Sequence, residues 1–337
     1  MRAANLDAEQ PWLQPGWMAD VSAWINEQLG RLATEITGPI EQTHIRPWST
    51  VLRVPVTGGE VFFKAPMRAL GYEVPLTRDL ARWHPECTLP VLAADAERRW
   101  MILPDGRQRL RELVREEGTI RHWDELLPVY AALQIDLVSR SEELRRLGVH
   151  DRGLRQIPYL TGCILRDRAV LHIGEPDGLT EEELVMLTSY LPRIAEWCRA
   201  LADCGVPESL NHGDLHDGNI FVLDGRYRFL DWSDCGITHP FFSLRTAMIS
   251  VETTLGWEEG APLEPLWRAY REPWTEFVPG EQLDAAFELA QRLWMLYSVL
   301  PWYHIVSRLT GEMRLKYAYA IPALLREFLE VNEQESV

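Results

Sequence analysis

Leu210-Asn211-His212-Gly213-Asp214-Leu215-His216-Asp217-Gly218-Asn219-Ile220-Phe221-Val222, continued by Tyr227-Arg228-Phe229-Leu230-Asp231-Trp232, is the stretch on which the reading of the chain turns. It reads as a loop, an apolar strand over Ile220 to Leu223, an Asp224-Gly225 turn and a second strand over Tyr227 to Leu230. An Asp-Gly pair between apolar runs is a hairpin signal. Asn219 enters that hairpin and Asp231 leaves it, while Asp214 stands five residues before Asn219. A rigid element therefore fixes the spacing of polar groups that a floppy loop would leave to chance.

Outward from this stretch the pattern divides. Trp17, Val21, Trp24, Ile25, Leu29 and Leu32 form a helical stripe, and from Ile45 the alternation shifts to period two through Val51 to Val56, Thr57-Gly58-Gly59 and Val61 to Lys64. That is a β-hairpin with Pro55 best suited to an edge strand. Tyr72 to Trp83 reads as a helix, with Pro75 tolerated in its first turn, and Val91-Leu92 and Trp100 to Leu103 read as two further strands. Pro104-Asp105-Gly106 is a turn and the natural boundary, giving an N-terminal lobe over 1–104 and a helical lobe over 105–337. In the second half, Trp123 to Leu137 is a helical stripe, and Thr180-Glu181-Glu182-Glu183 is a capping box opening a helix to Gly205 that Pro192 is expected to kink. Helices are also expected over Pro265 to Tyr270, Leu283 to Leu300 and Leu315 to Leu329, before a fraying tail from Glu333 to Val337. The fold class that follows is α+β, a small antiparallel sheet with one inserted helix and a larger, mainly helical part.

The 337 residues, 46% of them hydrophobic, suffice for a sizeable core. A formal charge of −16 argues against nucleic-acid binding through a broad basic surface, which clustered Lys and Arg would have to supply. Five scattered cysteines without a Cys-x-x-Cys pair read as reduced packing thiols, and with neither a signal-peptide pattern nor a membrane span the expectation is a cytoplasmic monomer or homodimer. Lysine occurs only at Lys64 and Lys316.

Asn219 and Asp231 offer one neutral and one charged oxygen, hard ligands suited to Mg²⁺, and Asp214 sits in a loop where it can take or orient the proton of an attacking hydroxyl. Those are the parts that phosphoryl transfer requires, together with a cation on the phosphates. His212-Gly213-Asp214 with Asn219, then Asp231-Trp232, resembles the catalytic signature of the aminoglycoside phosphotransferase family, whose fold is similar to the bilobal fold of the eukaryotic protein kinases. The resemblance implies that Asp214 is the catalytic base and that Asn219 and Asp231 hold magnesium.

The N-terminal half carries the same resemblance. Val61-Phe62-Phe63-Lys64-Ala65 is similar to the third-strand lysine of kinase-like folds, and Glu73 stands where the next helix supplies its ion-pair partner. A lysine retained in a chain that otherwise uses arginine fits this, because an ammonium and a guanidinium are not interchangeable. Trp100 to Gly106 looks like the hinge that would hold adenine through backbone groups near Leu103 and Asp105. The expected cofactors are ATP, with GTP the open alternative, and Mg²⁺. Two departures stand out. The phosphate loop, Arg46-Pro47-Trp48-Ser49-Thr50, has no glycine, so the Ser49 and Thr50 hydroxyls are the expected aids; and Thr238 to Leu244 lacks the Gly-Asp-Pro and following Asp usual in the family.

His212, Asp214, His216 and Asp217 also invite a dinuclear hydrolase reading. That chemistry needs an upstream Asp-x-His, and Asp151 is followed by Arg152-Gly153. The second class is a kinase-like fold without catalysis, a sensor or scaffold; retention of Lys64, Glu73, Asp214, Asn219 and Asp231 together speaks against it. For the acceptor, Asp234, Trp302 and Tyr303 are candidate contacts, with Trp294, Tyr297 and His304 as further walls. An amino sugar, an aminoglycoside-like compound or another small hydroxylated metabolite is the expected partner.

Overall fold

A computed structural model of the chain describes residues 9–258 and 263–334. Of the tail expected to fray, 335–337 lie outside the described residues. In chain order the elements are α1 (Trp17–Arg31), β1 (Glu41–Ile45), β2 (Ser49–Val56), β3 (Gly59–Pro66), α2 (Glu73–Trp83), β4 (Ala93–Asp95), β5 (Trp100–Pro104), β6 (Gln108–Arg109), α3 (Leu110–Glu117), α4 (Arg121–Val138), α5 (Ser141–Arg146), β7 (His150–Asp151), α6 (Ile157–Ile164) and α7 (Glu181–Asp203). They continue with β8 (Ser209–Asn211), β9 (Ile220–Leu223), β10 (Arg226–Phe229), β11 (Gly236–Thr238), α8 (Phe242–Leu255), α9 (Glu264–Arg271), α10 (Gly280–Val306), α11 (Gly311–Ala318) and α12 (Ala320–Gln334). The chain divides into two compact units, Met1–Leu110 with Gly218–Ser233, and Arg111–Asp217 with Asp234–Val337.

The first unit is built on an antiparallel sheet in the order β1-β2-β3-β5-β4. Period-two alternation assigns its faces. Phe63 and Trp100 point to one face, where α1 brings Trp17 and Trp24, with ring centroids 5.5–6.1 Å apart in edge-to-face contacts. Each such pair adds roughly 0.5–1.5 kcal/mol to the burial of the rings themselves. On the opposite face Met101 and Leu103 pack with Val74 of α2, Val91 and Leu230. Lys64 pairs across the ladder with Met101 and so shares this second face. Gly58 and Gly59 take positive φ (88° and 153°) at the β2–β3 turn, as a tight hairpin requires.

Pro55 departs from its expected edge strand, because β2 lies inside the sheet. The proline lies past the last β1 pair, Glu41 with Arg53, and on that side its carbonyl accepts from the Thr37 amide at 2.9 Å, so its missing N–H removes no bond to β1. The β9–β10 hairpin also belongs to this unit. It gains β6 as a third strand, and the Phe229 amide donates to the Cys87 carbonyl at 2.8 Å.

The second unit is helical. The Thr180 capping box is present in full at the start of α7, and Pro192 lies within that helix. The single helix expected from Leu315 to Leu329 is two, α11 and α12. Pro322 lacks the amide that would bond back to Ala318, the last residue of α11, so the break falls where the helix ladder has lost a bond. Helix α8 has no clean stripe in the sequence because its buried face includes Ser243, Ser250 and Glu252. A small sheet in the order β7-β11-β8 sets His150, Gly236 and Asn211 in one row.

Phe63 is fully buried at the centre of the aromatic cluster. Phe63→Ala is expected to lower the stability of the first unit by about 3–5 kcal/mol, read as a reduced urea midpoint at unchanged slope.

Candidate active site

The first unit gathers the cationic and metal-ligating candidates. Lys64 is 8% exposed and Glu73, the first residue of α2, is fully buried. The Lys64 Nζ donates to Glu73 Oε1 at 2.5 Å and to Asp231 Oδ1 at 2.7 Å. Burial works against the Lys64 charge, but the carboxylates of Asp231 and Glu73 outweigh it and hold the ammonium well above its ordinary range. Burial raises the Glu73 carboxyl, Lys64 opposes the rise, and the nearby Asp231 charge adds to it, leaving it at about 7. Of the two carboxylates around this cation, Glu73 is buried and Asp231 is the better solvated, its side chain being 43% exposed.

Asn219 and Asp231 meet at the open end of the hairpin. Phe229 pairs with Ile220 in the ladder, and the Leu230 amide then donates to the Asn219 carbonyl at 2.9 Å. Asp231 has φ +64°, a left-handed conformation costly for a residue with a Cβ, and its Oδ1 also accepts from Ser233 Oγ at 2.9 Å. The Tyr72 hydroxyl, beside Glu73, donates to the Ser233 carbonyl at 2.5 Å and ties the start of α2 to the segment after Asp231.

This donor set fits magnesium of a particular kind. Among the described residues no three His, Cys, Asp or Glu side chains group as a metal site. Mg²⁺ keeps several waters and is held by one or two protein ligands together with substrate phosphates. A carboxylate and an amide on adjacent rungs match that requirement and not that of a closed structural metal site.

Of the nucleotide candidates, Leu103 packs its side chain with Val74 and Met101, and the Asp105 carboxylate accepts from the Arg107 amide at 2.9 Å. Gly106 packs on the Phe221 ring, where a Cβ would come within 2.4 Å of it. Ser49 and Thr50 are buried at the start of β2, and the Thr50 hydroxyl donates to the His44 carbonyl at 2.9 Å while accepting from Gln42 at 2.8 Å. The turn before them closes tightly, the Arg46 amide donating to the Ser49 carbonyl at 2.8 Å.

The second unit holds Asp214 in a loop braced through the amides of His212, Gly213, Asp214 and His216. The His212 amide donates to the Tyr130 hydroxyl (3.0 Å), the Gly213 amide to Asn211 Oδ1 (2.8 Å) and the Asp214 amide to His212 Nδ1 (3.3 Å). The His216 amide donates to the Asp214 carbonyl at 2.9 Å. Gly213 has φ +80°, and a Cβ there would stand 2.3 Å from the Asp234 carbonyl oxygen, so only glycine fits.

Three interactions here have no signal in the sequence. Arg111 donates from Nε to Asp217 Oδ1 at 2.6 Å, and Asp217, fully buried, accepts from Thr254 Oγ1 at 2.5 Å. His216 Nε2 lies 3.3 Å from Asp214 Oδ2. Burial disfavours charge on that imidazole, but Asp214 outweighs it and raises its proton affinity above the ordinary value. His150 and His304 face each other with Nε2 atoms 3.1 Å apart; burial, then His304, Arg152 and Arg308, push His150 down to about 3, so it stays neutral.

Among the acceptor candidates, the Asp234 carbonyl accepts from Arg152 Nη1 at 2.7 Å and lies against Gly213, the residue before Asp214. Trp302 and Tyr303 are half-buried on α10, and the Tyr303 hydroxyl donates to Asp167 Oδ2 at 3.3 Å.

Residues 138–281 match the model of the APH family, described as the phosphotransferase enzyme family. The chain carries a phosphotransferase domain. Solved structures share its fold. The choline kinase from Cryptosporidium parvum Iowa II has a TM-score of 0.63 at 11% identity, over 94% of this chain and 96% of that one. The macrolide 2'-phosphotransferase MphH from Brachybacterium faecium has a TM-score of 0.54 at 18% identity, over 88% and 97%. The GDP and kanamycin complex of APH(2")-IIia has a TM-score of 0.60 at 14% identity, over 93% and 99%. No curated protein matches the chain by sequence. The α+β, protein-kinase-like fold expected from the signature is thus the fold of this phosphotransferase.

Gly213→Ala is expected to reduce stability by about 1–3 kcal/mol, since it combines a left-handed backbone with a backbone clash. Thermal denaturation against wild type checks this.

Proposed function

We propose that the chain transfers the terminal phosphoryl group of ATP or GTP to a hydroxyl of a small acceptor. The observation that carries the reading is the Lys64 ammonium held between Glu73 and Asp231 beside a hairpin that brings Asn219 and Asp231 together. A phosphoryl transferase needs a fixed cation and hard oxygen ligands, and Lys64 with Asn219 and Asp231 are the candidates for both.

In this reading Lys64 leaves Asp231 for the nucleotide phosphates, while Glu73 keeps the ammonium oriented. Asn219 and Asp231 would hold Mg²⁺, which when bound supplies neutralisation of phosphate charge. Asp214 orients the acceptor hydroxyl and takes its proton, and the bracing of residues 211–216 fixes the backbone that carries that carboxylate. Loss of a phosphoryl group from the nucleotide and gain by the acceptor oxygen balance, with the hydroxyl proton passing to Asp214.

The acceptor class is an amino sugar, an aminoglycoside-like compound or another hydroxylated metabolite, with Asp234, Trp302 and Tyr303 as its candidate contacts. Support comes from the acidic balance of the chain and from neighbours that are choline kinases or, in one case, a complex with kanamycin. One observation favours a second reading, a nucleotide-binding sensor without turnover: the tight, glycine-free turn at 46–50, whose Thr50 hydroxyl is already engaged.

Magnesium-dependent consumption of ATP and GTP, screened over amino sugars, aminoglycosides, plain sugars and amino alcohols, separates the two. The expected outcome is turnover with one acceptor class, reduced about 10²- to 10⁴-fold by Asp214→Ala and abolished by Asp231→Ala. Lys64→Met should lower kcat with nucleotide still bound. Wild-type protein that binds nucleotide and phosphorylates none of these acceptors would leave the sensor reading standing.

A further inference from the structure

We propose that His216 is a positioning residue for Asp214, with Arg111 fixing the tautomer in which it works. The inference rests on the reading of Asp214 as the catalytic base and adds to it how the carboxylate is aimed.

The groups form a chain of contacts within the second unit. Arg111 is held by its bond from Nε to Asp217, which is fully buried and is bonded in turn by Thr254 Oγ1 and, through its amide, to Ser250 Oγ at 3.0 Å. With Nε committed there, the guanidinium presents Nη2 to His216 Nδ1 at 3.3 Å. Arginine has donors only, so Nδ1 must be the accepting nitrogen in the neutral imidazole. The ring proton of neutral His216 is therefore on Nε2, the nitrogen that lies 3.3 Å from Asp214 Oδ2. When the ring gains a second proton, Nε2–H is still directed at Asp214. In the neutral ring, the state compatible with the Arg111 contact, the donor falls on one carboxylate oxygen of Asp214 and so restricts how that carboxylate can turn.

The amide bonds at Gly213, Asp214 and His216 fix the backbone, while the His216 ring acts on the Asp214 carboxylate itself. Placement of a base matters beyond its mere presence in the site, since a misplacement of about 1 Å can cost about 10²-fold. Arg111 and Asp217 are then the anchor that sets which nitrogen of His216 is the donor.

The test uses the full chain. His216→Leu removes the donor, and His216→Gln returns an N–H near the Nε2 position. With an acceptor that the wild type phosphorylates, kcat per folded molecule should fall about tenfold to a hundredfold in His216→Leu, with both KM values within about threefold. His216→Gln should recover most of that loss. Independently of activity, ¹⁵N-histidine spectra of the nucleotide-free wild type, taken above the His216 titration and assigned against His216→Gln, should show the Nε2–H tautomer. A kcat for His216→Leu within about twofold of wild type, a glutamine variant no better than leucine, or an Nδ1–H tautomer would overturn the proposal. If Asp214→Ala is inactive while His216→Leu is normal, the positioning role alone fails; if Asp214→Ala keeps wild-type turnover, the base reading fails and this proposal with it.

Discussion

The Lys64 ammonium, shared by Glu73 and Asp231, is the interaction on which the arrangement of the first unit depends. A lysine taken 92% out of solvent on the apolar face of a sheet is tolerable only if its charge is met, and Glu73, itself fully buried, can meet it only at the cost of its own desolvation. The second, partly exposed carboxylate of Asp231 resolves this. It brings the hairpin's exit to the strand that carries Lys64, although 167 residues separate the two in the chain. The left-handed backbone of Asp231 and the Tyr72 to Ser233 bond are local adjustments that make the approach possible.

The same interaction explains why residues 218–233 fold with the N-terminal sheet. The hairpin is short, and a two-stranded ribbon alone has little stability in water. It gains a third strand from Gln108–Arg109, a main-chain bond to Cys87, a place for Leu230 against Val74 and Met101, and the close approach that glycine at 106 allows to Phe221. Each contact is small. Together they hold Asn219 and Asp231 on a rigid platform, which is what ligand spacing demands.

Much of the first unit could be read in the sequence because its signals are local. Gly58-Gly59, the period-two runs and the Trp17 to Leu29 stripe, and in the second unit the Thr180 capping box, each follow from backbone or packing rules that act within a few residues. Lys64 and Glu73 were legible as a pair only through the family signature. What stayed hidden is non-local or aperiodic. Asp217 looks like a solvated charge beside His216 and is fully buried, because its partners come from α3 and α8. Helix α8 escapes pattern reading since polar residues sit on its inner face, and the strands of β7, β8 and β11 are too short for alternation to register.

The second unit distributes the fixing of one loop over distant helices. Tyr130 on α4 takes the His212 amide, Tyr297 on α10 reaches Asn211 Oδ1 at 3.3 Å, and Ser250 and Thr254 on α8 hold Asp217. Each is a hydroxyl from a buried or half-buried helix face, and each has an exchangeable partner only inside the core. A loop held this way cannot drift without leaving a polar group unpaired, at a cost of about 1–3 kcal/mol per group. The helices therefore do two kinds of work: their apolar faces stabilise the unit, and their few inward hydroxyls set the backbone of residues 211–217. Substitutions at Tyr130 or Ser250, which touch none of the proposed reacting groups, should then act on the proposed chemical step through the loop they hold, in the way a displaced base acts, and leave the nucleotide binding proposed for the first unit intact.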